Sequence, residues 1–226
     1  MIIAPAEFRR IVQEVLGIEP DDHFTDRQCP DDYIPFAGYT GGPTDLDGND
    51  RARAEERPRD RPGVILVLES PHRSEFPPQG GRVGPALGPT GRRIQQYLGS
   101  ILRQSHLWSQ VQHCSGLILF NAIPFQCSLG QSTHLHRDRV FREVWERGGR
   151  ADFVSRLRAC LVDGDLVLNA CTRGTGIPSL CGLVELAIKE AFNGPKNPSG
   201  KPSDLRLNHP YSWTKEEHRK PLAPIL

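Results

Sequence analysis

At 226 residues and 37% apolar content, the chain has material for one sizeable domain or at most two small ones, which excludes a disordered protein. Its 28 basic and 27 acidic residues leave a net charge of +1, too small an excess for a protein that coats nucleic acid, though an enzyme gripping a few phosphates needs no more. No apolar run is long enough to cross a membrane, and residues 1–7 lack the basic-then-apolar pattern of a secretory leader, so a cytoplasmic protein is expected.

Residues 5–16 predict a first helix: Pro5 suits the first turn, Phe8, Ile11, Val12 and Val15 recur at helical spacing, and Gly17 supplies a stop. Residues 17–62 are rich in Gly, Pro and charge without apolar periodicity, and are read as a long surface loop or insertion. Residues 64–68, Val-Ile-Leu-Val-Leu, predict a buried parallel strand, followed by a Gly/Pro-rich loop and a helix over 90–103. A second strand is expected at 117–120, helices at 137–146 and 151–161, and a third strand at 166–168. A helix over 177–192 with Pro178 in its first turn and a short strand at 205–207 complete the pattern. Strands alternating with amphipathic helices imply one α/β domain over 1–226, a three-layer α/β/α arrangement around a mainly parallel four-stranded sheet. The six scattered cysteines contain no Cys-x-x-Cys pair and are expected as reduced, hydrophobic residues, not as metal ligands or disulfides.

Open parallel sheets build their sites beyond the strand ends. There the sequence places Glu69–His72, residues 121–126, residues 169–173 and residues 208–213. A carboxylate, amides and a histidine gathered in one crevice suit the edge of a heterocycle, since an amide offers acceptor and donor side by side.

These segments also resemble, in order, the motifs of the uracil-DNA glycosylase superfamily. Leu68-Glu69-Ser70-Pro71-His72 is similar to the first catalytic motif, Gly-Gln-Asp-Pro-Tyr-His in one branch and Gly-Glu-Ala-Pro-Gly in another. Arg82-Val83-Gly84-Pro85-Ala86 resembles the Phe-Val-Gly-Pro-Ala segment that follows the latter. The run 116–122, ending in Asn121-Ala122, looks like the strand whose asparagine binds the extruded base. Asn208-His209-Pro210-Tyr211-Ser212-Trp213 resembles the His-Pro-Ser motif, whose histidine faces the base and whose next residues wedge into the duplex.

The resemblance implies a monofunctional DNA glycosylase that acts as a monomer, with DNA, double- or single-stranded, as partner and no cofactor, metal or membrane. Glu69 and His209 are then catalytic. Asn121, His72, Ser70 and Phe125 hold the base, and Arg82, Gly84, Tyr211, Ser212, Trp213 and His134 contact DNA or form the wedge. Ser70 stands where one branch has its water-activating aspartate, His72 replaces the tyrosine that excludes thymine, and Arg82 replaces the stacking phenylalanine. The implied substrate therefore extends from uracil to a C5-modified cytosine, as in phage DNA.

Other readings are weighed on the residues. Glu69 as a structural acid would pair with Arg82 or Arg92, and Asn121 as a turn cap is the plainer role for that residue type. The glycines at 80, 81, 84, 88 and 91 would let backbone approach phosphate, but without Gly-Lys-Ser/Thr there is no P-loop. His134-Leu135-His136-Arg137-Asp138 mimics a metallo-hydrolase motif but lacks a preceding apolar strand, and is read as a loop that touches phosphate. The alternative function is a catalytically silent nucleic-acid-binding module on the same fold.

Overall fold

A computed structural model describes residues 3–17, 24–36, 51–77, 81–128, 133–193 and 206–220, apart from the side chains of 133–135. Helix α1 (Pro5–Leu16) buries Phe8, Ile11, Val12 and Val15 and stops where Gly17 turns left-handed at φ 73°. The next described elements are strands β1 (Asp32–Pro35) and β2 (Ala52–Arg53). They lie inside 17–62, so its reading as a loop or insertion is corrected there. Then come β3 (Val64–Leu68), α2 (Pro89–Arg103), the short α3 (Trp108–Val111), β4 (Gly116–Asn121) and α4 (Thr133–Val144). Helix α5 (Arg150–Cys160) continues α4 through wider turns broken at Gly148, whose φ is 129°. Strand β5 (Leu166–Asn169) and α6 (Leu180–Phe192) follow. Pro178 precedes α6 rather than entering its first turn, because the Ser179 side chain accepts from the Gly182 N–H and caps the helix.

The sheet is mixed and five-stranded, ordered β2-β1-β4-β3-β5. Its centre is parallel, with Leu68 beside Asn121 and Val67 beside Asn169. Strand β1 adds antiparallel to β4, and β2 to β1. The fourth strand expected at 205–207 reduces to one parallel bridge between Arg206 and Asn169, with Leu205 outside the described residues.

Each face of the sheet carries its own core, which is why the strands read as unbroken apolar runs. Ile65, Val67, Ile118 and Phe120 pack with residues of α1, α4, α5 and α6. Val64, Leu66, Leu117 and Leu119 pack with residues of α2 and α3. All six cysteines are buried free thiols, and among the described residues no helix is long and apolar enough to cross a membrane.

Candidate active site

Strand β3 runs its last apolar residue, Leu68, into Glu69, and the neighbouring β4 ends in register at Asn121. The two ends are tied together: the Ala122 N–H donates to Leu68 O at 2.8 Å and the Ile123 N–H to Glu69 O at 3.0 Å. Beyond them opens a cleft of about 530 Å³, within the size range of small-ligand sites. Glu69, Ser70, His72, His209, Tyr211 and Ser212 all line it, so six of the expected site residues meet in one place although the chain separates them by more than a hundred positions.

Glu69 is buried, and burial raises its carboxyl above the usual range against the opposing pull of Arg137. Arg137 Nε lies 3.3 Å from the carboxylate, and the Ser70 hydroxyl donates to it at 3.3 Å. The arginine partner of Glu69 is thus Arg137 of α4, and not Arg82 or Arg92. His209 lies just before the short helical turn Pro210–Ser212. The Tyr211 N–H donates to its Nδ1 at 3.2 Å, which leaves the ring proton on Nε2. Burial, reinforced by Arg137 and Arg93, lowers this imidazole to about 4, so it is neutral at physiological pH. His72 lines the mouth while its Nδ1 accepts from the Ser74 N–H at 3.3 Å. Tyr211 is 60% exposed, with the Arg93 guanidinium 4.1 Å from its ring centre.

Asn121 stands one side chain back. It is 1% exposed and does not line the cleft. Its Nδ2 donates to Cys29 Sγ at 3.5 Å and its amide hydrogen-bonds Glu75, while Oδ1 is buried without a partner. Its backbone is clamped: the N–H donates to Asp31 at 3.3 Å, and Arg156 donates to its carbonyl at 3.0 Å. Glu75, which the sequence reading missed, does line the cleft. It is 4% exposed, and burial pushes its carboxyl up to about 8, so it carries a proton at neutral pH. Thr172, hydrogen-bonded to Glu69, and Ser128, whose hydroxyl is buried without a partner, also line the cleft. Thr172 lies within the strand-end cluster at 169–173; nothing in the periodicity marks Glu75.

Besides Asn121, which does not reach the cleft as expected for a base contact, three expected roles are corrected. Phe125 is core, stacked on Phe8 with centroids 4.5 Å apart, and offers no face to a base. Trp213 is 0% exposed with its Nε1–H donating to Asn208 O at 2.8 Å, so it cannot wedge. Gly84 is buried, and a side chain there would collide with Asp32. Arg82, expected at the DNA, remains exposed while its guanidinium donates to that same Asp32 at 3.0 Å. Of the other described glycines, Gly81 packs on Pro77, Gly91 of α2 packs on Ala86, and Gly88 packs on Ser74 at the cleft wall. Gly80 and the His134 side chain lie outside the described residues. Among those described, no three His, Cys, Asp or Glu side chains converge as metal ligands.

Comparison of the chain with family models, with curated proteins and with solved structures returns no match.

Proposed function

We propose that the protein is a DNA N-glycosylase of the uracil-DNA glycosylase type, with helices layered on both faces of its sheet in that family's manner. The observation that carries the reading is the pairing, in one cleft, of the buried acid Glu69 with a neutral histidine whose free N–H is at Nε2. Hydrolysis breaks the C1′–N bond and forms a C1′–O bond to water. Positive charge builds on the sugar and negative charge on the departing base. Glu69 stabilises the sugar cation and takes the proton of the attacking water, and His209 donates its Nε2–H to the base oxygen as charge develops there. The protonated Glu75 adds a second donor in the cleft, an O–H beside the His209 N–H, and Asn121 orients it. The base is a pyrimidine, uracil or a C5-modified cytosine.

The test is incubation of the protein with uracil-containing, mismatched and C5-modified DNA, scored as alkali-sensitive breaks, with the released base identified by mass. Glu69→Gln is expected to fold, since Arg137 keeps its 2.8 Å bond to Asp138, and to lose ~10²–10⁴ in rate. Breaks at the wild-type rate in that variant remove Glu69 from the mechanism, and no breaks on any substrate with wild-type protein end the proposal.

One observation favours a catalytically silent DNA-binding module: Arg137 already neutralises Glu69 at 3.3 Å. Tight binding without breaks in the same assay selects it.

A further inference from the structure

Ile177 is 100% exposed, an unusual setting for one of the residue types most often found inside. The loop that carries it, between β5 and α6, is firmly held. Arg142 Nη2 donates to the carbonyls of Thr175 and Pro178, each at 2.7 Å. The Thr175 hydroxyl donates to Asp138 at 2.8 Å, and the Leu180 N–H donates to Arg173 O at 2.8 Å. An apolar tip braced from beneath and turned to solvent is positioned to enter something.

What it faces is a second cleft, of about 1040 Å³, with Ile177 on its rim. Thr172, His209 and Ser212 line both this cleft and the one that holds Glu69, so the two adjoin. Among its described lining residues, Arg173, Lys189 and Arg206 stand against one carboxylate, Glu185, a balance that suits a polyanion. Of the aromatic wedge candidates, Trp213 is sealed in the core and Tyr211 already has a guanidinium against its ring.

We propose that the second cleft is the track for the DNA strand carrying the extruded base, and that Ile177 is the apolar prong that fills the vacated place in the stack. The inference rests on the glycosylase reading. A flipped base leaves a gap between its neighbours, and a branched apolar side chain fills it without competing for hydrogen bonds.

The experiment uses a duplex holding a tetrahydrofuran abasic analogue next to 2-aminopurine, and the same modified strand alone. Wild-type protein is expected to raise the 2-aminopurine fluorescence of the duplex as it unstacks the reporter. Ile177→Ala, at a fully exposed position, leaves the fold unchanged; it is expected to lose most of that rise, to bind the duplex about tenfold more weakly, and to bind the single strand within about twofold of wild type. Ile177→Leu restores both signals. Alanine and wild-type proteins that behave alike on the duplex overturn the prong while leaving the glycosylase reading intact. Wild-type protein that leaves the reporter unchanged and also makes no alkali-sensitive breaks in the assay above overturns both.

Discussion

At neutral pH Glu75 holds a proton that an exposed glutamate would have lost, and His209 lacks one that an exposed histidine would partly keep. Both shifts come first from burial, and they act on stability in opposite senses. Between its unfolded value of 4.5 and its folded value of about 8, Glu75 binds more proton folded than unfolded, so its contribution is full at low pH and is lost as pH rises. His209, lowered from 6.5 to about 4, binds less when folded, so its contribution is lost as pH falls below 6.5. The window from pH 6.5 to 8 therefore isolates the glutamate. Wild-type protein is expected to lose about 2 kcal/mol from Glu75 across it. Glu75→Gln, which cannot titrate, is expected to remove that slope. Glu69 and Asp31, also raised by burial, contribute equally to both proteins and cancel. Urea titrations at the two pH values check this; identical slopes would mean that Glu75 is ionised in the folded protein.

At the scale of the element, the parallel strands β3, β4 and β5 were legible because each is buried on both faces and reads as a continuous apolar run. Strand β1 was not. It is four residues long, begins at Asp32 and ends at Pro35, and its acid is buried only because Arg51, Arg53 and Arg82 close on it from elsewhere. Arg57 was hidden in the same way, inside a charged run that reads as solvated chain. It is 2% exposed and makes two 2.8 Å bonds to Asp165, 108 residues further along. Asp165 also accepts from the Gly63 N–H at 2.7 Å and the Val162 N–H at 2.8 Å, so the pair fixes the entries to both β3 and β5. Arg57→Ala strands this carboxylate in the interior and is expected to cost about 3–5 kcal/mol, read as a lower urea midpoint. A loss under 1 kcal/mol would show that water replaces the guanidinium.

For the whole molecule, the sequence brought out the carboxylate and imidazole of the cleft but not its depth. Glu69 and His209 were visible because polar residues at the ends of buried strands have few other places to go. Phe125 and Trp213 occupy equivalent positions in the chain and turn into the two cores instead; which way a residue just past a strand turns is decided by packing against Phe8 or by a bond to Asn208, which local pattern does not record. With a net charge of +1, the DNA binding proposed above would have to rest on the basic residues of the cleft walls. A log–log plot of duplex affinity against salt is expected to have a slope of about −3, the signature of a few phosphate contacts; a slope near −8 would require a basic surface elsewhere.

The carboxylate of Asp32 reaches further than its strand. Arg82 binds it at 3.0 Å, Arg51 bridges from it to the Pro85 carbonyl, and Arg53 runs from it to Val83 O at 3.0 Å, so the edge of the sheet and the segment 82–88 are fastened at one point. That segment supplies Gly88 to the cleft wall and the Ala86 N–H to Glu75. On the glycosylase proposal, a duplex seated in the cleft would tighten this border as well: amide exchange at Tyr33 and Ala52 is expected to slow when an abasic duplex is added.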